Sequence, residues 1–556
     1  MARKPSLAPE LYTDADSSVD AHFMRVMREQ DDTPIGTDTA KPHVALIVGP
    51  SPFSMPRGWE FFLTSPYEGI TYISTVLHNA GYPVRIIDVR YSVDPMKEAW
   101  ETLKKERVDV IGVATFEDNF PWCVEFVNLC KEEMPKVPVI LGGSLVTSVP
   151  ETFFQECAVD VAVLSEGEIT ILEVMDSYTR GAWDRELSGI RGIAFRTREG
   201  QVVRTVPRGQ MADLDSLPRM RLDLWPQYND PRGLQPEIIA SYSRGCKMDC
   251  SFCYRTTPQV RSKSPEKLDK DLRWLKEQYG TEFIFFVDLT FSSMKRQTVE
   301  ICEVIQDHDL RWTCLTRCAD VDEERLTAMK KAGCDIVLYG VESLGQNILK
   351  EARKGNTENI TIRSLRKTYD ADLRYGALII VGLPGETEES LDHVATWAEE
   401  NNHITRVKYL SAMPGTTVYK DGVRDGIIKS EVDHLNWLSV EQALHEDEFL
   451  NYNGLSEEVS RRAYKRVYDA YQPGPVMDFK HWPEHFIYHG GNPDDGLPHS
   501  VEYAGEGWRK DFASGLPHLA PGSERFTLDK TGTPEQAAIG ASLMDCGAKQ
   551  LGTAAK

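Results

Sequence analysis

Short apolar segments alternate with helix-sized segments in two series along this 556-residue chain, and this alternation limits its fold more than any other feature. In the first series, residues 42–185, runs such as VALIV (44–48) and VDVIGVAT (108–115) are β-branched and almost continuously apolar. Strands that are apolar on both faces are typical of parallel sheets covered by helices on each side. The first series therefore predicts a doubly wound α/β domain with a ligand site at the carboxyl ends of its strands.

The second series covers residues 236–430, where six strand-like segments alternate with helix-like ones. FIFFVD (283–288), DIVLYGVES (335–343) and YGALIIVG (375–382) are examples of these strands. Such an order forms an open or partial (β/α) barrel, and its site lies on the loops that follow the strands. We therefore predict a partial (β/α)6 barrel.

Three further regions flank or join these two domains. Residues 1–41 are polar and aperiodic, so we expect a loosely ordered N-terminal arm. Residues 186–235 contain two strand-like runs around a turn and then a proline-containing stretch, which predicts a β-hairpin and a linker. Residues 431–556 are mainly helical and irregular with a polar tail, and we expect them to cover the barrel mouth and select the substrate.

Charge and hydropathy limit the classes of partner that the protein can bind. The chain has 85 acidic and 63 basic residues and a formal charge of −22, which disfavours binding to nucleic acid or an anionic membrane. The N-terminus lacks an apolar run after its basic residues, and stretches such as ALIIV (377–381) are strand-sized. We therefore expect a cytoplasmic protein that acts on a small molecule.

Three of the 11 cysteines stand together in SYSRGCKMDCSFCYR, residues 241–255. Cys246, Cys250 and Cys253 have the spacing CxxxCxxC, which in a reducing compartment indicates metal ligands rather than disulfides. Structural zinc normally takes four ligands, and no fourth thiol or histidine stands nearby in the sequence. Three thiolates suit an iron–sulfur cluster with one open iron, and a structural zinc loop is the alternative.

The next helix begins clearly after these cysteines. Ser264 is a side-chain cap, Pro265 a first-turn proline, and Glu266 an acid at the positive end of the helix dipole. The cysteines thus lie on the first strand-to-helix loop of the predicted barrel, at its active face.

Two turns at strand ends of the first domain are candidates for ligand contact. LGGSLVT (141–147) lets a bulky group approach the backbone where side chains are missing, and LSEGEIT (164–170) ends the next strand. Tight strand-to-helix turns are the alternative explanation. The candidate residues are Gly142, Gly143, Ser144, Glu166, Gly167 and Glu168.

The cysteine spacing on this loop resembles that of the radical SAM superfamily. The two turns resemble the GG-x-x-x-T and GEGE-T elements of the cobalamin-binding domain that precedes the barrel in one group of these enzymes. The resemblance covers residues 42–430 and is to the cobalamin-dependent (class B) radical SAM methyltransferases of antibiotic biosynthesis. It implies a Rossmann-like cobalamin-binding domain followed by a radical SAM barrel.

The same resemblance implies roles for individual residues. The three cysteines would hold a [4Fe-4S] cluster, Asp288 and Glu342 would orient S-adenosylmethionine (SAM), and Gly382 would belong to the adenine-side loop. Taken singly, a helix-capping acid or a plain turn explains each of these matches. The matching segments are VDLTF (287–291), YGVES (339–343), IVGLPGET (380–387) and AMPGT (412–416).

The turn after the first strand, residues 49–66, has no histidine of the kind that ligates cobalt from below in many cobalamin proteins. We therefore expect no histidine ligand on the lower cobalt face. Met55, Arg57 or Trp59 are candidates for that position, and Arg57 is our choice as a cofactor contact. Simple packing of the turn is the alternative.

The resemblance also implies a reaction and its partners. One SAM would methylate cobalamin to methylcobalamin, and a second would be cleaved to a radical that activates the substrate, a natural-product intermediate. A low-potential donor such as flavodoxin or ferredoxin would supply electrons. The alternatives are cyclisation, rearrangement or oxidation without methyl transfer, and a cobalamin sensor, which would not need the cysteine loop.

The arginines near the cysteines bear on the substrate. Arg244, Arg255 and Arg261 suit an anionic acceptor, so P-methylation in phosphinothricin-type biosynthesis is our specific expectation. An unactivated carbon is the other acceptor that the family implies. Solvation or contact with the cofactors would explain the same arginines.

Overall fold

The described residues form two main sheets, one largely parallel that contains the first alternating series and one wholly parallel that contains the second. They belong to a computed structural model of the chain. The structure describes residues 21–24, 27, 37–50, 65–90, 92, 94–229, 238–254, 259–401, 404–444 and 451–470.

The first sheet has the strand order β2-β1-β3-β4-β5-β6-β7, and its first five strands are parallel. The chain crosses back at β1 and β3, which is the doubly wound arrangement predicted from the sequence. β1 is buried at all five positions because helices cover both faces. These strands are β1 (Val44–Val48), β2 (Val84–Asp88), β3 (Val110–Ala114), β4 (Val139–Gly142) and β5 (Val161–Val163).

A hairpin extends this sheet. β6 (Ile193–Arg196) pairs antiparallel with β5, and β7 (Val202–Arg204) pairs antiparallel with β6. The hairpin is thus part of the first sheet. Around this sheet lie the helices Glu68–Asn79, Pro95–Leu103, Phe120–Glu133, Ser144–Ser148, Pro150–Glu156, Glu168–Thr179 and Trp183–Glu186.

The second sheet has six parallel strands that neighbour one another in chain order. A short antiparallel pair, β9 (Ser243–Arg244) with β10 (Arg261–Ser262), brackets the cysteine loop. Sequential parallel strands joined by helices confirm the partial (β/α)6 barrel. The strands are β8 (Ile238–Ala240), β11 (Phe283–Phe286), β12 (Arg311–Thr316), β13 (Cys334–Glu342), β14 (Arg374–Val381) and β15 (Ile404–Tyr409).

The helix after the cysteine loop, Pro265–Tyr279, begins as predicted, since the Ser264 hydroxyl accepts from the Lys267 N–H at 3.1 Å. It ends at Gly280, whose φ of 62° is the left-handed conformation that glycine adopts readily. The other barrel helices are Lys295–Gln306, Glu323–Lys331, Gln346–Glu351, Glu358–Asp370, Glu388–Asn401 and Thr417–Arg424.

One continuous hydrophobic core spans both sheets. Helix Glu68–Asn79 contributes Tyr72, and the connection between the domains contributes Trp225, which is fully buried. The Trp225 indole N–H donates to the Thr71 hydroxyl at 3.0 Å. The two domains are therefore packed together through apolar contacts as well as joined by the chain.

The described part of the C-terminal region forms two helices. In helix Glu431–Leu444, Leu435 and Leu438 join the core beneath helix Phe120–Glu133 of the first domain. In helix Glu457–Asp469, Arg466 pairs with Glu399 of barrel helix Glu388–Asn401 at 2.8 Å. Residues 471–556, which belong to the region predicted to cover the barrel mouth, lie outside the described residues.

The N-terminal arm is described only in part. Residues 21–24 are helical, and the buried side chain of Met27 joins the core. Among the described helices, none is long and apolar enough to cross a membrane.

Candidate active site between the two sheets

The cysteine loop follows the first strand of the second sheet, as predicted. Cys246, Cys250 and Cys253 are free thiols and are partly exposed. The backbone N–H of Ser251 in this loop donates to Ala352 O at 2.9 Å. The loop is therefore tied to the segment that follows β13.

Asp288 holds the start of this loop. Its carboxylate accepts from the Ser243 N–H at 2.6 Å, from the Ser243 hydroxyl and from the Tyr242 N–H at 3.4 Å. Burial raises the pKa of Asp288 to about 7. That Asp288 orients SAM stays a prediction, and the contacts that the structure shows for its carboxylate run to the start of the cysteine loop.

The three thiols are chemically suited to a shared cluster. Burial raises the pKa of Cys250 and that of Cys253, the latter to about 11, and the neighbouring thiols raise both further. Among the described residues, no three His, Cys, Asp or Glu side chains converge closely enough to hold a single metal ion. In a [4Fe-4S] cluster each thiolate binds a different iron, so its ligands stand apart. Three thiol donors on one loop fit an iron–sulfur cluster, whereas a structural zinc site normally takes four ligands.

Glu342 lies beside these thiols at the end of β13. It is buried and has a φ of 67°, a left-handed conformation that is strained for a residue with a side chain and is typical of functional sites. Its Oε1 accepts from Lys354 Nζ at 2.7 Å. A Cβ at Gly340 would lie 2.6 Å from Glu342 Oε1 and 2.8 Å from that Nζ, so glycine makes room for the pair.

Lys354 was not among the residues predicted from the sequence. Burial disfavours its ammonium, but the Glu342 carboxylate and the Cys250 thiol more than offset this and raise the pKa of Lys354. Nothing in the local sequence distinguishes this lysine from its neighbours Lys350 and Arg353, which are exposed. Its burial between β13 and the cysteine loop is visible only in the folded chain.

The loop after β14 contains a second acid that the sequence did not single out. Gly382, a predicted site residue, has a φ of 105°, and its N–H donates to Glu386 Oε2 at 2.8 Å. Asn453 donates to the same oxygen at 3.2 Å. Burial raises the pKa of Glu386 to about 7. The glutamate therefore shapes the turn that contains Gly382.

The two glycines after β4 have different surroundings. Gly143 has a φ of 115°, and a Cβ there would overlap the Thr115 carbonyl, so the close approach of β3 requires glycine. A Cβ at Gly142 would meet nothing within 4 Å, so this position faces open space at the carboxyl edge of the sheet. The Ser144 carbonyl accepts from the Tyr254 hydroxyl, next to Cys253. The turn thus contacts the cysteine loop.

The acids of the turn after β5 are paired with arginines of the barrel. Both oxygens of Glu166 accept from Arg261, at 2.6 and 2.9 Å, and Glu168 Oε1 accepts from Arg244 at 2.6 Å. Burial alone would raise the pKa of Glu166, but both arginines hold it below its ordinary value. We predicted cofactor contacts for these acids, and their bonds instead run to the segments that flank the cysteines. Gly167 lies between them at the start of helix Glu168–Thr179.

These pairs also affect the role that was expected of the two arginines. Arg244 and Arg261 were expected to attract an anionic substrate, yet each is neutralised by an acid of the first domain. Two other predicted contacts, Arg57 and Arg255, lie outside the described residues.

Two family models match the chain. The B12 binding domain matches residues 64–175, and the Radical SAM superfamily matches residues 240–398. The first match contains the turns after β4 and β5, and the second contains the cysteine loop and strands β11 to β14. These domains imply cobalamin, SAM and a [4Fe-4S] cluster as cofactors.

Curated relatives share sequence with much of the chain. An uncharacterized methyltransferase of Pyrococcus horikoshii is 27% identical over 67% of this chain and 81% of its own length. Anaerobic magnesium-protoporphyrin IX monomethyl ester cyclase of Rubrivivax gelatinosus is 27% identical over 61% of this chain and 62% of its own length. Cytidylyl-2-hydroxyethylphosphonate methyltransferase of Streptomyces wedmorensis is 24% identical over 74% of this chain and 88% of its own length.

Solved structures share the arrangement of the two domains. The radical SAM methyltransferase TsrM from Kitasatospora setae matches with a TM-score of 0.55 and 17% identity, over 68% of this chain and 76% of its own. The cobalamin-dependent radical enzyme OxsB matches with a TM-score of 0.55 and 19% identity, over 71% of this chain and 56% of its own. At these identities the likeness shows the fold alone. The chain thus carries a B12-binding domain ahead of a radical SAM domain.

Proposed function

We propose that the protein is a methyltransferase that moves a methyl group from SAM, by way of cobalamin, to a small natural-product precursor. The observation that carries the proposal is the contact between the two domains at their sites. Tyr254 of the cysteine loop touches Ser144 and Ser148 of the turn after β4, the latter at 2.7 Å between hydroxyl oxygens. Cofactors held at these two loops would lie beside one substrate.

The bound groups would supply the difficult chemistry: the cluster and SAM a 5′-deoxyadenosyl radical, and cobalamin a methyl group. The chain would bind and orient them. Cys246, Cys250 and Cys253 would hold the cluster, and Glu342 with Lys354 would orient SAM at the end of β13. Electrons would come from a low-potential flavodoxin or ferredoxin.

On the cobalamin side, the open backbone at Gly142 would let the corrin approach the sheet edge. The turn at Gly382 would bind the adenine of SAM at the end of β14. Asp288 would keep the cysteine loop in place.

The acceptor that we propose is an unactivated carbon or a phosphinate phosphorus, as in phosphinothricin-type biosynthesis. A substrate that contains phosphorus is supported by the relative that is named for a phosphonate. Arg244 and Arg261 do not support a phosphorus acceptor, because they are paired with Glu168 and Glu166.

A second candidate is cyclisation or oxidation without methyl transfer. It is favoured by the cyclase relative, which is 27% identical to this chain. The two functions differ in how they consume SAM, since only methyl transfer leaves S-adenosylhomocysteine.

The test uses reconstituted, cobalamin-loaded protein with a strong reductant and SAM that carries a deuterated methyl group. S-adenosylhomocysteine should form even without an acceptor. With a phosphinate acceptor, the product should carry the label, and S-adenosylhomocysteine and 5′-deoxyadenosine should form in equal amounts. Formation of 5′-deoxyadenosine without S-adenosylhomocysteine would reject methyl transfer and favour the second candidate.

A further inference from the structure

We infer that the B12-binding domain holds the cysteine loop of the barrel in place, and that Glu68 and Glu166 are positioning residues of that loop. The inference concerns how the loop is held, so it stands whichever reaction the enzyme performs. Its basis is a set of polar contacts that the first domain makes before and after the three cysteines.

The first contact precedes the cysteines. Glu68, in the first turn of helix Glu68–Asn79, accepts from the Ser241 N–H at 2.9 Å and from the Ser241 hydroxyl at 2.8 Å. Ser241 directly follows β8 and is buried. A carboxylate of the first domain thus holds the backbone where the chain leaves the barrel strand.

The second contact lies two residues ahead of Cys246. Arg244 donates to Glu168 Oε1 at 2.6 Å, and its Nη1 lies 3.8 Å from Glu166 Oε1. Its guanidinium also lies 5.4 Å from the ring centre of Tyr72 on helix Glu68–Asn79. Every one of these groups belongs to the first domain.

The third group of contacts lies after the cysteines. The Tyr254 hydroxyl lies 2.7 Å from that of Ser148. Arg261 donates to both oxygens of Glu166 and to the Met211 carbonyl at 2.6 Å. Lys263 donates to the Tyr72 hydroxyl at 3.0 Å.

These contacts are strong because they are shielded from water. The side chains of Arg261 and Glu166 are 7% and 11% exposed, and their two parallel bonds have the bidentate geometry that favours an arginine–carboxylate pair. Removing one charge of a buried pair leaves the other uncompensated, which is far more costly than losing a surface pair. Loss of the Glu166 charge should therefore loosen the chain on the far side of the cysteines.

Glu166 tests the inference more sharply than Glu168. The hydrogen bonds that the structure shows for Glu166 come from Arg261 and from the Met211 N–H, the latter at 2.8 Å. Glu168 Oε2 is buried without a hydrogen-bond partner among the described residues, so that acid retains capacity for a ligand.

The experiment compares Glu166→Gln with Glu173→Gln, a matched control. Glu173 lies on helix Glu168–Thr179 and pairs with the buried Arg208. Amide hydrogen exchange of residues 241–254 is measured on cofactor-free protein, because exchange reports local opening directly. Glu166→Gln should speed exchange there by at least about tenfold, and the control should leave it unchanged.

A second readout separates the inference from cofactor binding. Cobalamin affinity of Glu166→Gln should stay within about twofold of the parent, while the reconstituted cluster loses iron faster and changes its electron paramagnetic resonance spectrum. A tenfold loss of cobalamin affinity with unchanged exchange would overturn the inference and restore the acid as a cobalamin contact. If Glu166→Gln does not fold, Tyr254→Phe removes one hydroxyl of the same set and should show the same pattern to a smaller degree. Unchanged exchange in that variant would also overturn the inference.

Discussion

The ammonium of Lys354 lies 2.7 Å from Oε1 of Glu342, and both side chains are buried at the end of β13. The pair stands beside the cysteine loop, since each partner influences the pKa of Cys250. A salt bridge of this kind ties the segment after helix Gln346–Glu351 to the strand end. It also holds the carboxylate in one orientation.

The Lys354–Glu342 pair predicts a stability effect. Lys354→Met should lower the free energy of unfolding by about 3 kcal/mol or more, because it leaves a buried carboxylate unpaired. Adding Glu342→Gln should restore part of this loss, since the second change removes the stranded charge. Urea unfolding of the cofactor-free protein measures both, with the exposed Lys350→Met as control. If the double variant loses as much free energy of unfolding as the two single variants together, the two side chains are not coupled.

The cysteine loop predicts a separation of cofactors. Replacing Cys246, Cys250 and Cys253 together with alanine should abolish iron–sulfur absorption and SAM cleavage, because no ligand remains for the cluster. Cobalamin binding should persist, since the contacts of Glu166 and Glu168 with the barrel do not involve the thiols. The control is Cys302→Ala, a buried thiol of helix Lys295–Gln306. A triple variant that still released 5′-deoxyadenosine at the parent rate would refute the assignment.

Glu386 predicts a pH-dependent stability. Burial raises its folded pKa from 4.5 to about 7, so between these values the folded protein holds a proton that the unfolded chain has released. The contribution of this group to the free energy of unfolding is therefore fully present below about pH 4.5. It is lost as pH rises towards 7, by roughly 3 kcal/mol in total. The free energy of unfolding of Glu386→Gln, taken relative to that of the parent, should be higher at pH 8 than at pH 5. Urea unfolding at both pH values, with the exposed Glu389→Gln as control, measures the difference. An equal gain in free energy of unfolding at both pH values would contradict this prediction.

The two glycines after β4 predict opposite outcomes. Gly143→Ala should destabilise the first domain by roughly 1–3 kcal/mol or more, because its φ is positive and its Cβ would overlap the Thr115 carbonyl. Gly142→Ala should fold normally, since its Cβ meets no atom within 4 Å. If cobalamin approaches this edge, Gly142→Ala should nonetheless lower cobalamin affinity, as equilibrium binding would show. Normal affinity in the stable Gly142→Ala variant would place the corrin elsewhere.

Local patterns in the sequence determined much of this protein. The apolar runs that became β1 and β14, and the helical start at Ser264, depend only on neighbouring residues, so both sheets and the first turn of helix Pro265–Tyr279 followed from periodicity and capping. The three cysteines were recognisable because metal ligands of one loop have a characteristic spacing.

The partners of charged side chains were decided only by the tertiary structure. Glu166 and Arg261 are 95 residues apart in the chain, and Glu168 and Arg244 are 76 apart. With 85 acidic and 63 basic residues, charge alone does not specify which acid meets which base. The packing of helix Glu68–Asn79 and the turn after β5 against the barrel brings these groups together and excludes water from them. Because Coulomb attraction is non-specific in sequence and becomes strong only where burial removes water, the contacts of Glu166 and Glu168 with the barrel arginines could be found only in the folded chain.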